Sequence, residues 1–170
     1  PGTSHVFDTS LETPEGSRKW SINAVEIPRG IVDAWLVMGY SGTGSPTGTM
    51  VAKVAKLISE TPEKMGEMEA IANITRAGLA ALSAGNLDGL GMAMDACHES
   101  LRKLKVSSSK LDQMVNAARP HSLGAKLTGA GGGGCMVALT HDPTRVSEAI
   151  EVAGGRPLMT RLGAQGVRFV

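Results

Sequence analysis

Between two short apolar segments, Ala125-Lys126-Leu127-Thr128 and Cys135-Met136-Val137-Ala138-Leu139-Thr140, the chain places Gly129-Ala130-Gly131-Gly132-Gly133-Gly134, six small residues of which five are glycine. Glycine loses more backbone freedom on folding than any other residue, so such a run needs a physical reason. One reason is that successive N–H groups, with no Cβ in the way, can turn toward a single anion. The other reading is a flexible hairpin turn. A linker would mix in serine and join separate domains, whereas this run sits tightly between core-type strands. Either way, residues 125–140 are constrained to fold as two strands joined at a bare turn.

The rest of the chain arranges itself around that hairpin. Residues 1–17 are polar and punctuated by Pro1, Gly2, Pro14 and Gly16, with no core of their own. Lys19 to Ile27 alternates at period two and reads as a half-buried strand. Ala34 to Gly39, around Trp35, Leu36, Val37 and Met38, reads as a buried one. A second glycine-rich loop, Gly39 to Gly48, follows it. Helical spacing then takes over: Met50, Val51, Val54, Leu57 and Ile58 share one face, and Met65, Met68, Ile71, Thr75, Leu79 and Leu82 another. Pro62 can open the second helix and Gly85 close it. Asn86 is an N-cap for a third, whose seam is Leu87, Leu90, Met94, Cys97, Leu101 and Leu104. Ser107–Ser109 offers caps for a fourth carrying Leu111, Met114, Val115 and Ala118, ended by Pro120. Asp142-Pro143 opens a short helix, and Pro157–Thr160 and Val167–Val170 read as closing strands. A block of helices followed by strands in short hairpins implies an α+β fold: a two-layer sandwich of a mostly antiparallel sheet covered by helices.

Charge and composition exclude several roles. Lys and Arg number 17 against 16 Asp and Glu, a net charge of +1, which argues against a nucleic-acid surface. No apolar stretch approaches the roughly 20 residues of a bilayer span, and no basic-then-apolar leader opens the chain, so it reads as soluble and unexported. The two cysteines, Cys97 and Cys135, make no disulfide framework and no CxxC pair. Aromatic residues are 3%, leaving the core to aliphatic side chains and nine methionines. The chain opens at Pro1 rather than methionine, as a processed chain or a piece of something longer would.

Acid–base candidates are few. Asp8, in Phe7-Asp8-Thr9, sits in a polar segment where most aspartates are solvated turn residues. His98 flanks the seam of the third helix and reads as a packed, hydrogen-bonded histidine rather than a catalyst. His5, His121 and His141 are scattered, without the spacing of a zinc site, and Cys135 reads as a small core residue. The loop Gly39–Gly48 lies between strand and helix, where helix amides can meet phosphate. It lacks the Gly-Lys-Ser/Thr of a P-loop, and a turn with hydroxyl caps is the reading its residues favour.

The run KLTGAGGGGC over Lys126–Cys135, with Met136-Val137-Ala138-Leu139 after it, closely resembles the third signature of the GHMP small-molecule kinases, and within them the mevalonate kinases. Further residues extend the likeness over about residues 33–170: Val37-Met38-Gly39, Ser41-Gly42, Thr47, Met50-Val51-Ala52-Lys53-Val54, Leu111-Asp112-Gln113 and Gly124-Ala125-Lys126. The chain departs from the family pattern at Tyr40, Gly48 and Cys97. The resemblance implies that residues 31–170 are the family's C-terminal domain and residues 1–30 the tail end of a preceding catalytic domain. It implies ATP-dependent phosphorylation of the primary hydroxyl of mevalonate in the cytoplasm, with Mg2+ held mainly outside this chain. In that reading Gly129, Ala130, Gly131, Gly132, Gly133 and Gly134 form the phosphate and substrate loop. Thr47, Lys126 and Thr128 face the substrate cleft, and Asp8 stands as the catalytic base. The partners implied are mevalonate and the N-terminal half of the kinase, with room for a homodimer and with neither nucleic acid nor membrane. Two alternatives remain, a non-catalytic binding module of the same descent and a sibling phosphomevalonate kinase.

Overall fold

The computed structural model describes residues 28, 31 and 33–163, together with the backbone of two strands nearer the start, Ser4–Glu12 (β1) and Arg18–Val25 (β2). These two pair antiparallel as a sheet of their own, Ser4 opposite Val25 and Asp8 opposite Ser21. β2 coincides with the alternating run read as a strand. β1 falls in the polar segment that carried no such signal, because backbone pairing needs no hydrophobic pattern to occur. The strand expected at Val167–Val170 lies outside the described residues.

The main sheet has four strands, β3 (Trp35–Tyr40), β4 (Gly124–Thr128), β5 (Cys135–Thr140) and β6 (Arg156–Arg161), in the order β4-β5-β3-β6. Every neighbouring pair is antiparallel, with Met38 opposite both Val137 and Leu158, and Lys126 opposite Val137. Among the described residues five α-helices accompany it: α1 (Thr47–Glu60), α2 (Met65–Ser83), α3 (Leu87–Lys103), α4 (Ser109–Ala118) and α5 (Pro143–Val152). The α+β architecture is thus the one read from the sequence.

Strand alternation sorts the core onto two faces. Val37, Ala125, Leu127, Met136 and Ala138 meet Leu111, Met114, Val115 and Ala118 of α4 and Val146 and Ile150 of α5 in one buried cluster. Their neighbours Leu36 and Leu139 belong to a second cluster with Leu82, Leu87, Leu90 and Met94 from α2 and α3. That second cover stops short, so Met38, Tyr40 and Leu158 stay exposed. The apolar stripes read on α1 and α2 are likewise only partly used. Met50 is buried, but Val51 is 62% exposed and Met65 and Met68 nearly half exposed, since neither helix lies flat on the sheet cluster as α4 and α5 do.

The helix ends follow their sequence signals. Gly85, at φ 72°, closes α2 in a Schellman arrangement, with the Asn86 N–H on the Ala81 carbonyl and the Gly85 N–H on that of Leu82. Asn86 then caps α3 by accepting the Gly89 N–H at 2.9 Å, Ser108 caps α4, and Asp142 caps α5. α3 crosses β4 in backbone contact: a Cβ on Gly124 would stand 2.0 Å from the Gly91 carbonyl oxygen, and one on Gly91 2.1 Å from that of Leu123. No other residue type permits that approach. At this distance α3 reaches the outer border of β4. The Ala125 N–H donates to Asp95 Oδ1 at 2.9 Å, and the Leu127 N–H to His98 Nδ1 at 3.2 Å. Arg119 holds Asp95 in place through its Nε at 2.9 Å and reaches Glu99 with its other nitrogen at 3.0 Å. Among the described residues no helix is long and apolar enough to cross a membrane.

Candidate functional site

The turn between β4 and β5 is built almost wholly in the left-handed backbone region: φ is 81° at Gly129, 83° at Gly131, 70° at Gly132, 139° at Gly133 and 80° at Gly134. Side-chain-bearing residues adopt that region at a cost of about 1–2 kcal/mol each, so the glycines are required by geometry and not only permitted. The turn folds against the loop between β3 and α1. Gly134 N–H donates to the Thr43 carbonyl at 2.6 Å, Ser41 N–H to the Gly134 carbonyl at 2.9 Å, and Gly132 N–H to the Val106 carbonyl at 2.7 Å. Ser45 Oγ donates to the Gly132 carbonyl at 2.9 Å. The two glycine-rich segments of the sequence, 87 residues apart at this contact, are one structural unit.

Between them opens a groove of about 370 Å³. Gly44, Ser45 and Thr47 form one wall and Thr128 with the glycine turn the other, while Met38 and Cys135 come from the uncovered part of the sheet. The amides of Gly132 and Gly134 are taken up in bracing the turn. Those of Gly129, Ala130, Gly131 and Gly133 have no acceptor among the described residues. α1 begins at the same groove. The residue before it is Pro46, no side chain caps its first turn, and no acidic residue lies there. Its Thr47 and Gly48 amides are, among the described residues, further donors without an acceptor at the positive end of a helix.

All of these are neutral dipoles. Among the described residues the lining contains no carboxylate, imidazole or ammonium group. Such a surface can hold the oxygens of an anion and stabilise charge gathering on them, while the described residues offer it no carboxylate to hold a magnesium ion.

Of the residues singled out in the sequence, Thr47, Thr128, Gly129, Ala130, Gly131, Gly133 and Gly134 line the groove. Gly132 lies behind it, between Ser45 and Met50. Lys126 stands outside the lining, its Nζ donating to the Leu127 carbonyl at 2.8 Å. The backbone of Asp8 belongs to β1, but its side chain is outside the described residues. Sequence reasoning missed Ser45, which it took for a turn residue, and placed Cys135 in the core although it borders the groove. The one available signal was the glycine content of Gly39–Gly48, the loop in which Gly44, Ser45 and Thr47 line the groove.

Comparison with known proteins agrees with this arrangement. Residues 79–155 match the family model described as GHMP kinases C terminal. The chain is 40% identical over 176 aligned residues to a mevalonate kinase of Pyrococcus horikoshii, covering 99% of this chain and 52% of that protein. It is 38% identical to the mevalonate kinase of Pyrococcus furiosus, over 79% of this chain and 42% of the relative. Among solved structures, L. major mevalonate kinase in complex with R-mevalonate superposes with a TM-score of 0.68 at 28% identity, over 79% of this chain and 41% of that one. Streptococcus pneumoniae phosphomevalonate kinase shares the fold, with a TM-score of 0.71 at 20% identity over 84% of this chain and 43% of that one. The chain spans about half the length of the curated relatives it matches. The glycine turn and the helices α3 to α5 that support it fall inside the matched stretch: this chain belongs to the GHMP kinases, and the domain it folds is their C-terminal one.

Proposed function

We propose that the enzyme carrying this chain transfers the γ-phosphoryl group of ATP to the primary hydroxyl of mevalonate, and that the groove is where this chain meets the phosphoryl group and the acceptor. The observation that supports this reading is that Gly129, Ala130, Gly131 and Gly133, whose amides have no acceptor among the described residues, line the same groove as Thr47 at the amino end of α1. Phosphoryl transfer is governed by positioning and by charge stabilisation on the equatorial oxygens, and rigid neutral donors supply both. Their cost of ordering is met during folding, by the hydrogen bonds from Gly132, Gly134 and Ser45, so they need not reorganise as the reaction proceeds.

The same groove defines what this chain leaves to others. Its lining among the described residues does not fit a Mg2+ ion, which requires oxygen ligands that include carboxylates in sites of this kind. The proton of the acceptor hydroxyl needs a base, and Asp8 is the residue in this chain that the family resemblance offers. The remaining groups belong, in this reading, to an N-terminal half that packs with this domain. Similarity at 38–40% identity to mevalonate kinases supports mevalonate over its phosphorylated product as substrate.

A coupled assay of ADP release tests the reading, run on the enzyme that carries this chain with mevalonate and then with phosphomevalonate. ADP with mevalonate alone is the expected result. ADP only with phosphomevalonate would reassign the substrate, and no ADP with either, while nucleotide still binds, would identify a binding module.

A further inference from the structure

The strand that leads into the glycine turn is held at its outer border by one imidazole. His98 is buried, 1% exposed, and its Nδ1 accepts the Leu127 N–H. An accepting Nδ1 carries no proton, so the neutral ring keeps its proton on Nε2. Nε2 lies 3.3 Å from Asp112 Oδ1 on α4 and has no aligned hydrogen-bond acceptor among the described residues. Asp112 is itself held by Ser107 Oγ and by Arg102 Nε at 3.2 Å. Ser107 follows Val106, whose carbonyl receives the Gly132 N–H. The ring is therefore linked to the glycine turn along β4 through Leu127 and Thr128, and it stands beside Asp112, which Ser107 joins to the segment whose carbonyl anchors Gly132.

We propose that His98, in its neutral form, is a positioning residue for phosphoryl transfer: by accepting the Leu127 N–H while facing Asp112, it fixes where the amides of the glycine turn stand. The role as positioning residue rests on the kinase reading above; the hold on β4 does not. Protonation of Nδ1 would set a donor against the Leu127 donor and break the link. The charged groups around the ring are Glu99 and Arg102 on its own helix, Asp112 on α4 and Arg119 just beyond α4, while Lys126 of β4 turns to the Leu127 carbonyl. Burial first, and then Arg119, push the imidazole below its ordinary pKa, against the pull of Asp112 and Glu99. The neutral, accepting form is the resting one.

The test compares two variants in the enzyme that carries this chain. His98→Asn places an amide oxygen where Nδ1 stood, keeping the acceptor and removing the titration; His98→Leu removes both. Three readouts apply: kcat and KM for ATP and mevalonate between about pH 5 and 8, amide hydrogen exchange at Leu127 and Gly132, and far-UV circular dichroism for the fold. His98→Leu is expected to lower kcat about tenfold to a hundredfold, as a small misplacement of a positioning group does, and to speed exchange at both amides. His98→Asn is expected to keep exchange slow, restore most of kcat at about pH 8, and flatten the acid limb that the unsubstituted enzyme shows below its His98 pKa. The proposal is overturned if folded His98→Leu matches the parent in kcat and exchange, or if folded His98→Asn fails as His98→Leu does or keeps the acid limb. Should the parent form no ADP, the kinase reading fails, and with it the role assigned to His98 in transfer; exchange at Leu127 and Gly132 in the two variants then decides whether the ring holds β4 at all.

Discussion

Gly132 and Gly129 share nearly the same backbone conformation, φ 70° and 81°, but not the same surroundings, and this separates strain from crowding. A Cβ on Gly129 meets nothing within 4 Å, whereas on Gly132 it would stand 2.6 Å from Ser45 Oγ and 2.7 Å from Met50 Sδ. Alanine at either site incurs about 1–2 kcal/mol for the left-handed backbone. At Gly132 it also displaces Ser45 from the Gly132 carbonyl, about 0.5–1.5 kcal/mol for the hydrogen bond, and crowds buried Met50, about 1–3 kcal/mol for overpacking. Gly132→Ala should therefore be less stable than Gly129→Ala by about 1.5–4.5 kcal/mol. For a domain of this size that separates their melting temperatures by roughly 3–18 °C. Urea titration of both variants, followed by tryptophan fluorescence and circular dichroism, measures the difference directly. Gly132→Val, larger still, should spread the two loops and reduce turnover about a hundredfold, the size of loss that follows removal of a preorganised oxyanion donor. Equal stability of the two alanine variants would refute the bracing of the turn by Ser45. Turnover of folded Gly132→Val within about twofold of the parent would refute the link between this bracing and the reaction.

The backbone contact between α3 and β4 gives a sharper outcome. Gly91→Ala or Gly124→Ala should cost more than about 3 kcal/mol or prevent soluble expression, because the atom met at 2.0–2.1 Å is main chain and cannot swing away. Gly66→Ala, inside α2 with open space around it, should be neutral or stabilising by up to about 1 kcal/mol in the same urea titration. Asn86→Ala removes the cap of α3 and should lower stability by about 1 kcal/mol, read as a shifted denaturation midpoint with an unchanged slope. The depressed pKa of His98 fixes a pH dependence as well. Between its folded-state pKa and the ordinary value near 6.5 the unfolded chain binds the extra proton, so stability rises with pH across that window, is complete above about pH 6.5, and is lost as pH falls below it. Denaturation midpoints at about pH 7.5 and 5.5 should show this slope in the parent and a smaller one in His98→Asn.

The local features of the fold were legible because they depend on neighbours in sequence. Asn86, Ser108 and Asp142 cap the helices that their spacing announced, and the apolar residues of α4 and α5 became the core under the sheet. The glycine run was legible as a turn with free amides, but not which amides stay free. That division depends on Val106 and Thr43, carbonyls brought up by tertiary packing, and backbone acceptors leave no mark in composition. The partnership of the two glycine-rich loops was hidden for a related reason: it follows from β3 lying beside β5, a choice of strand order that no local pattern encodes. His98 was legible as a packed histidine, while the N–H that it accepts could be found only once α3 lay over β4. The stripes of α1 and α2 show the opposite error, where periodicity promised more burial than the described residues provide.

The seal on β4 has a consequence for handling this domain in isolation. A strand at the margin of a sheet, with its amides pointing outward, is a template for any other extended chain, and proteins that leave one open tend toward fibres and tangled oligomers. Here Asp95 and His98 occupy the two amides at that margin. Acid removes the imidazole's hold, so the first event in a mildly acidified preparation should be the loss of its solubility, through strands of separate molecules joining at this margin, well before the helices melt.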